Sequence, residues 1–288
     1  KTEAAGQAYM QKIALWKKHV PRSKFLYIKT GEDNDEGNIV SDDLDMTTVI
    51  GSHWRKVFQG QDSSELHFKH LQDLTAAVPR AADLSLSPFD RDDIIASLRR
   101  HDSAPGPDGI PYSAWKAAGD TGIDILLNII SDLWNGGEPP DSFRRSLMVF
   151  LPKTDGQAVG PHELRPLALC DSDYKIIMGC INHRLALHLP DYVDDRQRGF
   201  MRGRLGLDNL LLLEAAAMLA SRSGAAAPVL CFLDIAAAFP SLLHDFLRTV
   251  LNRFLGQHPL NHMISSMYAN NTCDIVIRGS VMPGFRVL

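Results

Sequence analysis

No run in this 288-residue sequence comes near the ~18 consecutive apolar residues that a membrane-spanning helix needs. The richest window, residues 210–220, is interrupted by Glu214. No signal peptide is visible, so an intracellular protein, nuclear or cytoplasmic, is expected. There is no G-x-x-x-x-G-K-[ST] loop, which disfavours a P-loop phosphotransferase built around the acidic residue discussed below. There is no C-x-x-C pair. Cys170, Cys180, Cys231 and Cys273 are far apart in apolar runs, which predicts buried, reduced thiols rather than a metal or disulfide framework. Net charge is −4, which argues against a protein that coats nucleic acid over its whole surface. No internal repeat is present. The first residue is Lys1 and the last four are Phe285, Arg286, Val287 and Leu288, an apolar ending that leads us to expect a fragment.

The charge that is present is unevenly spread. Acidic groups outnumber basic ones over residues 1–143, basic groups outnumber acidic ones over 144–204, and the two balance afterwards. A local basic zone can hold an anion whatever the total charge.

Periodicity and turn chemistry predict the elements. Phe25 to Lys29 and Ile39–Val40 should form a small hairpin across the Gly- and Asn-bearing stretch 31–38. Helices are expected over 43–58, 64–76, 88–100, 112–118 and 121–135, the last stopped by Gly136 and Gly137. SLMVFL (146–151) and LRPLAL (164–169) read as two strands joined by a polar loop. Asp171 or Ser172 should cap a helix reaching Leu189. Residues 197–206 form a loop, and Asp208 should open a largely buried helix to Ser221. Ser241 should cap an amphipathic helix with apolar residues at 242, 243, 246, 247, 250, 251, 254 and 255. A last helix ends near Asn270, and CDIVIRG is a strand. A sheet cut short there should leave its edge unpaired around Cys273 to Arg278 and lower solubility.

VLCFLDIAAAFP (229–240) holds one polar side chain, Asp234, and reads as a buried strand. An ionised carboxylate is costly to bury unless it is paired or bound to a metal. From this stretch alone, a turn-capping aspartate and a catalytic group at a strand end both remain open.

Other stretches narrow the choice. In chain order come S-A-P-G-P-D-G-I-P (103–111), L-P-K (151–153), R-P-L-A-L (165–169) with Tyr174 and Lys175, Q-R-G-F-M-R-G-R (197–204) with Asp208 and Asn209, and F-L-D-I-A-A-A-F (232–239). Together they resemble the reverse transcriptase of non-LTR (LINE-type) retrotransposons, most specifically between Ala104 and Phe239. Group II intron maturases and retron enzymes share the later motifs, but P-G-P-D-G so close upstream favours the LINE type.

The resemblance implies an α+β, right-hand polymerase fold with mostly helical fingers, a β-hairpin and an incomplete palm sheet. It divides the chain into an N-terminal extension (1–85), fingers with the start of the palm (86–228) and a partial palm (229–288). It implies RNA template, DNA primer and deoxynucleoside triphosphates as partners, with no membrane. Asp234 and the carbonyl of Ile235 would bind catalytic Mg²⁺, two ions in the complete enzyme. Phe239 would be the steric gate against a 2′-hydroxyl, and Ala237 and Ala238 would let backbone approach the triphosphate. Lys153 and Arg165 would grip the triphosphate. Gln197, Gly199, Phe200, Arg202 and Arg204 would contact the template, with Arg196 and Arg198 adding positive field. Outside the resemblance, Phe239 could be an ordinary core residue, Lys153 and Arg165 surface charges, and 197–204 a solvated basic loop.

One element of the family is missing. Its second metal-binding motif is a Y-A-D-D-type hairpin after a Q-G segment. Tyr268-Ala269-Asn270-Asn271 is not that element, because asparagine is neutral and the position is where the family has a helix end leading into a strand. The residue after A-F is Pro240, where the family often has aspartate. A chain with one such carboxylate should not polymerise by itself. The alternative reading is a non-catalytic nucleic-acid-binding remnant of a decayed retroelement.

Overall fold

The computed structural model describes residues 26–30, 38–60, 73–81, 84, 86–99, 103–154, 156–222 and 229–287. The expected helix over 64–76 lies mostly outside them.

The N-terminal hairpin forms as its turn chemistry requires: β1 (Tyr27–Lys29) runs antiparallel to β2 (Ile39–Val40), with Ile28 opposite Val40. Helix α1 (Asp43–Gln59) follows, and the Asp42 carboxylate caps it by accepting from the amides of Leu44 and Asp45. Its buried face, Met46, Thr47, Ile50, Gly51 and Trp54, recurs at helical spacing. That face lies on the main sheet closely enough that a Cβ on Gly51 would sit 3.2 Å from Ile275 Cδ1.

Helix α2 (Arg91–Leu98) is shorter than its charge pattern predicts. Asp90 and Asp93 form a reciprocal capping box that sets its start. Residues 112–118 and 121–135 join in one helix, α3 (Tyr112–Trp134), kinked where Gly119 adopts φ 58°.

Strand β3 (Arg145–Pro152) pairs antiparallel with β5 (Leu164–Leu169), and Leu151 faces Arg165. The polar loop between them carries a short strand, β4 (Ala158–Val159), that pairs parallel with β1. Helix α4 (Ser172–His188) comes next, then α5 (Gly206–Arg222), α6 (His244–Leu255) and α7 (Pro259–Met267). The described chain ends with β6 (Thr272–Ile277) and β7 (Ser280–Arg286). Within the four-stranded sheet the order is β5-β3-β6-β7, with β3 and β6 parallel. The architecture is therefore mixed, helices with small mixed sheets, as an α+β class requires.

Two cores divide the described residues. One is helical and joins Ile94, Leu126, Ile130, Ile176, Ile177 and Met263 from α2, α3, α4 and α7. The other lies between α1 and the main sheet, with Trp54, Phe150, Leu164 and Ile275 at its centre. Arg184 ties α4 to α2. Its guanidinium bonds both carboxylate oxygens of Asp93 and stacks 4.6 Å over the Phe89 ring. Burial raises the Asp93 pKa, but the bonds from Arg184 and the Asp90 amide outweigh it and hold the carboxyl below its ordinary value.

Four expectations are corrected. Residues 229–235 are neither a strand nor buried: they form no regular structure and are exposed, Leu233 to 90%. Helix α5, expected to be largely buried, has no buried residue. Strand β6 is not an unpaired edge, because β7 covers the side away from β3. The four thiols are free, but Cys231 is exposed and only Cys180 and Cys273 are buried. The first two share a cause: apolar composition signals a need for cover, and no described element supplies it there. The asparagine tetrapeptide behaves as read. Tyr268 caps α7, Asn270 takes φ 59°, and β6 begins at Thr272.

Candidate nucleotide and nucleic-acid interface

The sheet hairpin holds the first pair of candidate residues. Leu151 and Arg165 are directly opposite, and Lys153 lies two positions beyond Leu151, so Lys153 and Arg165 are diagonal neighbours on one face of the ribbon. Both are exposed. The Lys153 amide donates to Glu163 O at 2.8 Å, continuing the ladder past the strand end. Its Nζ donates to His162 O at 2.7 Å, which directs the ammonium along the loop. Glu163 accepts from the Gly160 amide and fixes the return into β5. Two cations on one rigid ribbon can engage one anion, Arg165 through a planar fork and Lys153 as a point charge.

The loop 190–204 is built around a single side chain. Arg204 donates to the carbonyls of Asp194 (2.7 Å), Gln197 (3.0 Å), Pro190 (2.8 Å) and Val193 (2.9 Å), and it lies 3.4 Å from Asp195. Only 8% of that side chain is exposed. Arg204 was expected to contact template; in the structure its two terminal nitrogens hold the loop together. Arg196 is paired with Asp194, whose carboxyl it holds below the usual range, and Arg198 lies by Asp208 and Asn209. Gln197 donates to Gly199 O within the loop. Arg202 is exposed and forms no ion pair among the described residues. Gly199 is exposed, and Phe200 is 94% exposed at φ 60°.

Asp234 and Ile235 are exposed, in the irregular stretch before a turn at 236–241. The Ser241 amide donates to Ala237 O at 2.9 Å and the Leu242 amide to Phe239 O at 3.2 Å, closing that turn. Ala237 takes φ 52° and packs against the sheet core that lies under the hairpin. Ala238 is exposed, and Ser241 Oγ bonds its carbonyl. Phe239 is 76% exposed, not a core residue, and its ring meets that of Phe200 edge to face with centroids 5.9 Å apart. The structure thus brings together the pairs Lys153–Arg165 and Phe200–Phe239, and it seats Ala237 on the sheet core.

A cluster that sequence reasoning did not single out as a site lies at the P-G-P-D-G loop. Asp108, Asp171 and Asp173 each present an oxygen within 4.8 Å of the others, and such a group could hold a metal ion. The expected capping role of Asp171 is not observed. Its Oδ1 accepts from the Asp108 amide at 3.1 Å, and α4 starts without a side-chain cap. Burial pushes the Asp171 carboxyl up to about 6; the amide of Asp108 works against this and its carboxylate adds to it. Burial raises Asp173 too. Trp115 Nε1 donates to Ser172 Oγ, which donates to Ile110 O. Lys175 donates to Ala104 O and Ser103 Oγ and lies 5.8 Å over the Tyr112 ring. The motif residue Lys175 therefore serves this docking, while the Tyr174 ring packs edge to face on Phe143 with centroids 5.7 Å apart. A signal was present in the sequence, since P-D-G and D-S-D each put carboxylates on tight backbone. What it lacked was the contact between segments over sixty residues apart.

The described residues do not fit a two-cation centre at Asp234. Among the described residues Asp234 belongs to no group of three or more possible metal ligands; the only such group is Asp108, Asp171 and Asp173.

Similarity to known proteins agrees with the motifs. The chain is 28% identical over 197 residues to the transposon TX1 uncharacterized 149 kDa protein of Xenopus laevis. The match covers 68% of this chain and 15% of that protein. Its relatives are retrotransposon proteins. A second one, the retrovirus-related Pol polyprotein from the type-2 retrotransposable element R2DM of Drosophila melanogaster, is 25% identical over 243 residues. There the match covers 81% of this chain and 22% of the polyprotein, so the chain spans under a quarter of either relative. No family model matches. The resemblance to non-LTR retrotransposon proteins read from the motifs is borne out. No helix among the described residues is long and apolar enough to cross a membrane.

Proposed function

We propose that the chain is part of an RNA-directed DNA polymerase of a non-LTR retrotransposon. It would comprise an N-terminal extension over 1–85, fingers over 86–228 and part of a palm over 229–288, in a right-hand polymerase fold. Its partners would be an RNA template, a DNA primer and deoxynucleoside triphosphates. The similarity to a Pol polyprotein supports the class.

The observation that carries the reading is the shared face of Lys153 and Arg165 on the β3–β5 ribbon. Phosphate recognition favours this combination, a bidentate fork and an ammonium held by one rigid element. Phe239, on a turn fixed through Ala237 to the same core, would lie under the sugar and exclude a 2′-hydroxyl. Asp234 with the Ile235 carbonyl would supply one carboxylate of a magnesium site in the complete polypeptide. The 288 residues alone would bind substrates without joining them.

Calorimetric titration with a deoxynucleoside triphosphate tests this. The wild-type chain should bind, and Arg165→Ala and Lys153→Ala should each weaken binding by about tenfold or more. Equal affinity in all three overturns the reading. Primer extension by the chain alone should yield no templated product.

The exposure of Asp234, which joins no group of three possible metal ligands among the described residues, favours one alternative, a non-catalytic nucleic-acid-binding remnant. Such a protein would bind RNA and show no preference for a deoxynucleotide over a ribonucleotide.

A further inference from the structure

Phe200 and Phe239 are 94% and 76% exposed, yet their rings touch, with planes 79° apart. Burial does not explain the contact, since each ring keeps most of its surface in water. The backbone explains it. Arg204 binds the carbonyls of 190, 193, 194 and 197 and so fixes the chain up to three residues before Phe200. Phe200 itself sits at φ 60°, a region that bulky residues rarely occupy and that must be imposed by surrounding structure. On the other side, Ala237 on the sheet core and the two amide bonds of the 236–241 turn fix Phe239. Two turns, each anchored by buried contacts, thus hold two open rings at a right angle. Strain of this kind concentrates at ligand clamps.

We propose that Phe200 and Phe239 form a stacking corner for an unpaired nucleobase of a single-stranded polynucleotide, with Arg204 as its positioning residue. A flat base would lie on one ring with its edge against the other. The exposed guanidinium of Arg202, two residues beyond Phe200, would meet the adjoining phosphate. Aromatic platforms beside cations are how single strands are bound without reading sequence. The inference deepens the proposed function and rests on it, and it turns the loop's role from electrostatic to stacking.

The test is binding of the full 288-residue chain to fluorescent oligouridine ten nucleotides long. An oligomer of the same length with alternate abasic positions serves as the comparison. The wild-type chain should prefer oligouridine by about tenfold. Phe200→Ala and Phe239→Ala should each remove most of that preference. Phe200→Trp should retain it. Arg204→Lys should behave like Phe200→Ala, with far-UV circular dichroism unchanged. Binding of both oligomers with equal affinity overturns the stacking corner alone. Binding of neither overturns the proposed nucleic-acid role as well. Self-association lost in Phe200→Ala, without any oligomer preference, would reassign the rings to a protein contact and overturn the inference.

Discussion

A Cβ placed on Gly106 would lie 2.3 Å from the backbone nitrogen of Asp171 and 2.4 Å from its Oδ1. The P-G-P-D-G loop therefore reaches the start of α4 as bare backbone, and the Asp108 amide completes the contact at 3.1 Å. Gly106→Ala should push the loop off the helix and cost about 2 kcal/mol, as overpacking of a close contact does. A urea unfolding midpoint unchanged by that substitution would show that the loop does not dock.

Asp171 gives stability a pH dependence. Its folded pKa, about 6, lies above the ordinary carboxyl value of 3.8. The native state then holds a proton that the unfolded chain releases between about pH 4 and 6. Stability falls as pH rises through that window and stays lower above it. Asp171→Asn keeps an acceptor for the Asp108 amide and removes the charge. It should flatten the window and raise stability at pH 7 by ~1–2 kcal/mol. Thermal midpoints measured from pH 4 to 7 check this.

The Arg184–Asp93 pair works in the opposite direction. Asp93 is held below its ordinary pKa, so the stability it contributes is present above pH 4 and is lost as pH falls through the lowered value. Both side chains are nearly buried, at 13% and 11% exposed. Arg184→Ala would leave Asp93 uncompensated and unstack Phe89, at a cost of ~3 kcal/mol or more. Chemical denaturation of the variant gives the number directly. A cost below ~1 kcal/mol would mean that the pair is solvated.

Asp234→Asn should leave stability within ~0.5 kcal/mol, because the side chain is exposed and the stretch around it has no regular structure. A larger loss would show that the carboxylate has a partner in the folded state.

The apolar surface of α5 and 229–239 should drive self-association. Leu210, Leu219, Phe232 and Leu233 are 62%, 70%, 78% and 90% exposed. Exposed large apolar side chains that gather in a patch mark contact surfaces or aggregation sites. Leu210→Glu with Leu219→Glu should lower the sedimentation coefficient at high concentration without lowering the melting temperature.

Much of the fold was legible because its signals are local. The limits of β5 match the reading, those of β3 nearly so, and the hairpin of β1 with β2 follows from Gly and Asn between two apolar runs. Apolar content misled at 229–235 and α5. It reports what a segment would gain from cover, not whether cover is there. Of the site, the placement of Lys153 beside Arg165 was legible, since strand register fixes it. The task of Arg204 was not: a guanidinium aimed at four carbonyls and one aimed at phosphates look the same in a sequence. The Asp108–Asp171 contact was hidden by its separation along the chain.

The pairing of Met148 with Ile275 sets a kinetic problem for the nascent polypeptide. Strand β3 leaves the ribosome with β5 as its one long partner, and its other edge must wait for over a hundred further residues. At roughly 5–20 residues per second that wait lasts on the order of ten seconds. During it, an apolar strand edge is open to neighbouring chains. Yield in cells should therefore depend on chaperone supply and growth temperature more steeply than the equilibrium stability of the finished protein would suggest.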